Sequence, residues 1–198
     1  AEPFARQMEH LAVHYRVVSA PRVLEAMNGG SPLPPRSVLL TFDDAYRSFG
    51  TTAWPVLGRH SFPAALFVPT AYPDGRLQRF WWDRLESAFQ HGTRRDPLPT
   101  PLGPLSLASA AERTRAHAVI KRYVKDLPHA ETLRMTGEVC AALGAPEAPH
   151  EVLGWAELRA LAAQGVALGA HTRTHPRLNR VPREQARLEV EGSLADLE

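Results

Sequence analysis

The sequence predicts an α/β fold built on a parallel sheet, and three observations carry that prediction. Two short apolar runs, residues 38–42 and 64–68, show no alternation of polar and apolar side chains, the pattern of strands covered on both faces. A helical segment separates them, so strand, helix and strand form a βαβ unit, which implies parallel pairing through a right-handed crossover. A third run, residues 166–170, follows another helix, so the β/α rhythm returns late in the chain.

The elements read in order as follows. Phe4, Met8, Leu11 and Ala12 recur at helical spacing, residues 15–18 are a brief β-branched run, and Val23, Leu24 and Met27 share a face of a second helix ending at Gly29 and Gly30. A proline-rich connector, residues 31–36, leads into the first buried strand. In the helix that follows, Thr52 is the expected N-cap and Pro55 stands in the first turn, where its missing N–H costs little. After the second strand, residues 80–89 (FWWDRLESAF) read as a short helix anchored by Trp81 and Trp82, and residues 94–105 as loop. Helices over 108–127 and 129–143 follow, the second closed by Gly144. Residues 72–150 are therefore expected to form a mostly helical insertion within a single domain spanning 1–198. A helix over 155–163 stops at Gly165 before the strand at 166–170, and an amphipathic helix with Leu188, Leu194 and Leu197 on its apolar face runs from 182 to 198.

Composition narrows the function classes. The chain has 198 residues, 44% hydrophobic and 22% charged, which suits a globular domain with its own core. Its formal charge is +2 and the arginines are scattered, with Arg94 and Arg95 the densest pair, so no basic footprint for nucleic acid is present. No apolar run approaches the roughly 20 residues that span a bilayer. The opening AEPFARQMEH lacks the apolar core of a signal peptide, which leaves cell envelope, exterior and cytoplasm all open. Cys140 is the single cysteine, so an intrachain disulfide and a Cys-rich zinc site are excluded; in EVCAAL it reads as a buried small hydrophobe.

Two motifs carry chemistry, TFDD at residues 41–44 and HTRTHP at 171–176. Each sits at the carboxyl end of an expected parallel strand, and in parallel α/β sheets those ends share one side, where active sites gather. Two imidazoles and a carboxylate, with a position left for water, make a catalytic ligand set for a divalent metal. The i, i+4 spacing lets one turn present His171 and His175 to one ion, and Pro176 keeps that turn short. Adjacent carboxylates at a strand end point different ways, so one can bind metal while the other acts as a base. Each motif alone has a plainer reading. A pair of aspartates often caps a loop, and His10 and His14 share the HxxxH spacing with no acidic motif beside them. His60, His91, His117, His129 and His150 read as surface or loop residues.

At these residues the sequence resembles the polysaccharide deacetylases, carbohydrate esterase family 4, also called the NodB-homology domain. The resemblance extends through residues 39–68 (LLTFDDAYRSFGTTAWPVLGRHSFPAALFV), residues 154–178 (GWAELRALAAQGVALGAHTRTHPRL) and the opening HLAVHYRVVS, and covers 4–90 and 151–198. It implies a distorted (β/α) barrel, with Asp43 as general base and Asp44, His171 and His175 as ligands of a divalent metal, usually Zn2+, with Co2+ or Ni2+ as substitutes. The implied reaction is attack of metal-activated water on the acetamide of an N-acetylated sugar, so the implied partner is a carbohydrate substrate. Ala45 departs from the glycine common in the family. The family's later motifs, including a histidine general acid, would lie after HTRTHP, whereas residues 177–198 read as loop plus helix; with the first strand also expected before Ala1, the barrel is expected to be incomplete and the chain a fragment or a truncated homologue. Trp82 is a candidate sugar-stacking residue, although a tryptophan pair in a short helix is more often packing. The same scaffold is also compatible with hydrolysis of a non-sugar amide, or with binding of metal or carbohydrate without turnover. Oligomeric state is left open.

Overall fold

The computed structural model describes residues 2–75, 77, 79–146 and 150–198, so residues 76, 78 and 147–149 of the expected insertion lie outside the described residues. The chain divides into two compact units, one of Ala1–Leu77, Glu151–His175 and Glu184–Glu198, the other of Gln78–His150 and Pro176–Arg183.

Among the described residues, all five strands belong to the first unit. Helix α1 (Glu2–His14) leads through β1 (Arg16–Val18) to α2 (Ala20–Met27), whose first turn is capped by Ser19 accepting from the Arg22 amide at 3.4 Å. The apolar run at 38–42 becomes two short strands, β2 (Ser37–Leu39) and β3 (Thr41–Phe42), because it serves two neighbours in turn. Its first half pairs in parallel with β1, Val18 opposite Leu39. Its second half pairs with β4 (Ala65–Val68), Phe42 opposite Leu66. β4 in turn pairs in parallel with β5 (Ala167–Ala170), Val68 opposite Ala170, so that β4 is the central strand of three. This is the mixed α/β fold with parallel strands that the apolar runs predict.

Burial differs from the expectation at 38–42. Only the central strand β4 is largely buried, whereas residues 38–40 and 42 are half-buried and Thr41 is exposed. A strand flanked on both sides is enclosed by its neighbours, and β2 and β3 each have a partner on one side among the described residues. Thr52 does not cap a helix. It lies inside a wide π-type turn, Phe49–Ala53, in which the Trp54 amide donates to the Phe49 carbonyl, and α3 (Trp54–Arg59) continues from it. Pro55 explains the wide turn: its ring cannot donate and crowds the carbonyl four residues back, and a π turn relieves that clash. Phe42 packs edge-on against Phe49 with ring centroids 4.9 Å apart, and Phe4 of α1 meets the other side of Phe42 at 6.1 Å. These rings brace the end of β3 just before the two aspartates.

Two amphipathic faces are also corrected. On α2, Leu24 and Met27 are exposed. On α8 (Arg183–Ala195), Leu188 and Leu194 are each 53% exposed, while Glu189 and Ser193 are 7% and 1% exposed. Helix α8 turns its polar face inward, for a reason that emerges at the site. The remaining helix of this unit, α7 (Trp155–Ala163), buries Leu158 and Leu161; Glu157 accepts from the Gly154 amide at 2.8 Å and holds Arg47 through an ion pair.

The second unit is helical. Helices α4 (Trp81–His91), α5 (Ala110–Lys125) and α6 (His129–Leu143) share a core that includes Leu85, Phe89, Ile120, Val124, Val139 and Leu143. Ser109 caps α5 by accepting from the Glu112 amide at 3.2 Å, and α6 ends before Gly144. Arg113 donates to the carbonyls of Phe89 and Gly92 at the end of α4 and to that of Arg94 in the following loop, which satisfies acceptors the helix end leaves open. The loop at 94–105 is pinned by reciprocal backbone hydrogen bonds between Leu98 and Leu105. His117 packs its ring 5.3 Å from Phe89, so it is less exposed than a surface histidine. Among the described residues, no helix is long and apolar enough to cross a membrane.

Cys140 packs against the core of this unit, and burial pushes its thiol above the usual range, with Arg84 opposing in part. Because the thiolate is the reactive form, the native chain is expected to alkylate with iodoacetamide at pH 8 more slowly than free cysteine, and at the free rate once unfolded in urea. Equal rates for native and unfolded chain would contradict this burial.

Candidate metal centre

The parallel register places the two motifs together. β3 ends at Phe42 and β5 at Ala170, both paired in parallel to β4, so residues 43–44 and 171 leave the same end of the sheet. The pairing continues past the strands: the His171 amide donates to the Val68 carbonyl at 2.9 Å, and the Thr70 and Ala71 amides donate to the carbonyls of Thr172 and Arg173, both at 3.0 Å. The loop after Asp44 is held from another direction, since the Leu153 amide donates to the Ala45 carbonyl at 2.8 Å and the Arg47 amide to the Glu151 carbonyl at 2.7 Å.

Asp44, His171 and His175 converge. Asp44 Oδ1 lies 3.1 Å from His175 Nε2 and 3.6 Å from His171 Nε2, and the two imidazole nitrogens are 3.2 Å apart. All three residues are half-buried. Asp44 Oδ1 is buried and makes no hydrogen bond, while two ring nitrogens face it. With both Nε2 atoms unprotonated, as ligation requires, three electron-rich atoms at these separations repel one another unless a cation lies between them. A tetrahedral ion with bonds of about 2.0–2.2 Å sets its ligands about 3.3–3.6 Å apart, and the observed triangle has nearly that size. The three residues therefore suit a divalent metal. Asp43 lies beside this cluster in sequence and is exposed. Trp82 belongs to the other unit, on α4, where its ring stacks on buried Phe80 with centroids 4.5 Å apart and planes 5° apart.

Backbone strain accompanies this geometry. Asp44 and Ala45 have φ of 71° and 50°, and Thr172 and His175 have φ of 63° and 58°. Left-handed backbone costs a residue with a side chain on the order of 1 kcal/mol, and persists only where its surroundings enforce it. Thr172 contributes by accepting from the His175 amide through Oγ1 at 3.1 Å. Gly169 contributes by absence: a Cβ there would lie 2.7 Å from the Phe67 ring, which rests opposite it beside His171 at a centroid distance of 6.3 Å. Glu189 and Asp196 carry no motif in the sequence, and Arg173 stands within HTRTHP with no ligand role. Arg173 and Asp196 form a two-pronged ion pair, at 2.8 Å and 2.7 Å, and Glu189 accepts from the amides of residues 173 and 174. Periodicity offers no signal for them, because Glu189 sits between Leu188 and Val190 in a helix whose leucines suggest the opposite face.

No family model matches this chain. It is 48% identical over 50 residues to a poly-beta-1,6-N-acetyl-D-glucosamine N-deacetylase of Escherichia coli strain K12, and equally to that of Escherichia coli O157:H7; the matched stretch is 25% of this chain and 7% of each relative. Among solved structures, a Streptococcus pyogenes deacetylase, PplD, in complex with acetate aligns with a TM-score of 0.48 and 16% identity over 96% of this chain and 53% of that one. The deacetylase domain of BpsB from Bordetella bronchiseptica aligns at 0.35 and 19% identity over 83% of each chain. In sequence, the chain resembles polysaccharide deacetylases.

The strained turn after Asp44 has a testable consequence at Ala45, which is fully buried with a left-handed backbone. A β-branched residue there meets both strain and crowding, so Ala45→Val is expected to lower stability by about 2–3 kcal/mol in urea unfolding. Ala45→Gly is expected to fold normally. Unchanged stability of the valine variant would show that the turn tolerates a relaxed backbone.

Proposed function

We propose that this chain carries the metal-dependent centre of a hydrolase that removes acetyl groups from N-acetylated amino sugars or their polymers. One observation carries the reading: a carboxylate oxygen and two imidazole nitrogens from distant parts of the chain meet within 3.1–3.6 Å, at motifs that resemble those of polysaccharide deacetylases. In this reading Asp44, His171 and His175 hold the ion. Zn2+ is the proposed metal, since two imidazoles and one carboxylate suit a borderline-soft ion, and Co2+ or Ni2+ can replace it. A divalent ion held there supplies Lewis acidity toward the acetamide carbonyl and makes water acidic enough to deprotonate near neutral pH.

The chain's own residues have separate tasks. Asp43, the neighbouring exposed carboxylate, is the proposed general base, one of its oxygens accepting the proton of the attacking water. His171 and His175, set in a loop with two left-handed residues, keep their Nε2 atoms turned toward Asp44. The name of the Escherichia coli relative suggests β-linked N-acetylglucosamine as the substrate class, and Trp82 is a proposed stacking face for a sugar ring. The proposed architecture is an incomplete distorted (β/α) barrel of the polysaccharide deacetylase type, with residues 72–150 as a mostly helical insertion.

The zinc-loaded chain is expected to release acetate from N-acetylglucosamine oligomers. Asp43→Asn is expected to lower kcat about 100-fold or more while the zinc content, read by atomic absorption, stays at one per chain. His171→Ala and His175→Ala are expected to lose zinc and activity together. A parallel panel of non-sugar amides decides the substrate class. Zinc binding without acetate release from any N-acetylated sugar would sink the deacetylase reading in favour of a binding homologue.

A further inference from the structure

We propose that Glu189 is a positioning residue for the metal centre, acting through the loop that carries both histidines; the inference rests on the metal site of the proposed function. Glu189 is a buried carboxylate with no role in the chemistry described so far. Burying a carboxylate is costly unless its oxygens are occupied, and here each is. Oε2 accepts from the amides of Arg173 and Thr174, both at 2.8 Å, and Oε1 accepts from the Thr174 hydroxyl. Residues 173 and 174 are two of the three between His171 and His175, so the carboxylate grips the middle of the HTRTH turn.

The turn needs such a grip. Thr172 and His175 are both left-handed, and consecutive amides aimed at one point make a concavity that favours an anionic acceptor. On the other edge of the loop, the Thr70 and Ala71 amides bind the carbonyls of Thr172 and Arg173. Glu189 closes the opposite edge with charge-assisted hydrogen bonds, which are about twice as strong as neutral ones.

The rest of α8 is arranged around the same contact. The Arg173 side chain crosses the helix at Gly192, where a Cβ would lie 2.5 Å from the guanidinium carbon, and reaches Asp196, which also accepts from the Thr70 hydroxyl at 2.6 Å. Glu189, Gly192, Ser193 and Asp196 thus form one inward face. This accounts for the exposure of Leu188, Val190 and Leu194: the helix is oriented by its carboxylates rather than by its leucines. Groups that orient metal ligands from outside the ligand set commonly change metal affinity 10–100-fold when removed.

Co2+ titration tests the assignment, with the visible d–d spectrum reporting ligand geometry and far-ultraviolet circular dichroism reporting the fold. The unaltered chain is expected to bind one Co2+ with a tetrahedral-type spectrum. Glu189→Ala is expected to weaken binding about 10-fold or more and to alter the spectrum, with Glu189→Gln in between. Thr174→Val, which removes only the hydroxyl contact, is expected to lose affinity several-fold and decides the matter if Glu189→Ala does not fold. Arg187→Ala, an exposed position on the same helix, serves as control and is expected to bind normally. Folded Glu189→Ala or Thr174→Val with the original affinity and spectrum would overturn the positioning role alone. No Co2+ uptake by the unaltered chain would instead overturn the metal site itself, and this inference with it.

Discussion

The site depends on one constraint, the parallel pairing of β3 and β5 with the same central strand. Because β4 accepts Thr41–Phe42 on one side and Ala167–Ala170 on the other, both flanking strands run the same way and finish at the same end of the sheet. Asp44 and His171 then emerge together, with residues 45–170 intervening. Antiparallel pairing of either strand would send its motif to the opposite end of the sheet. Most of the candidate site's chemistry follows from that register.

Register alone brings three ligands near one another; the loops set their final spacing. Four residues with side chains adopt left-handed backbone around the site, and neighbours hold both segments: Ala45 accepts from the Leu153 amide, and the HTRTH turn is held by Thr70, Ala71, Thr172 and Glu189. The strain and the buried carboxylate are complementary costs. A strained turn presents free amides, a buried carboxylate needs donors, and each resolves the other's deficit. The same logic explains a helix that leaves three large apolar side chains exposed.

Much of this was legible in the sequence. The unalternating runs, the helix boundaries at 129–143 and 155–163, and the pairing of TFDD with HTRTHP all follow from local patterns whose cause is local: apolar continuity, caps and the reach of a strand end. Misreadings arose where tertiary partners outweighed local preference. Thr52 has the chemistry of a cap, yet Pro55 forces a wide turn over Phe49–Ala53 that encloses it. Residues 38–42 look like one strand buried on both faces, but they divide between two neighbours. Helix α8 was read by its leucines, because hydrophobic periodicity carries no information about a carboxylate with three waiting donors.

The sequence by itself determined the fold class, the identity of the two motifs and the residue types able to hold a divalent ion, because strand periodicity and ligand chemistry are properties of short segments. Tertiary structure alone decided that Asp44 Oδ1 and the two Nε2 atoms form a triangle of 3.1–3.6 Å, that Asp43 stays exposed beside it, and that Glu189, Arg173 and Asp196 brace the turn. Those outcomes rest on register and on hydrogen bonds between residues far apart in the chain, and distances of that kind have no local signature to read.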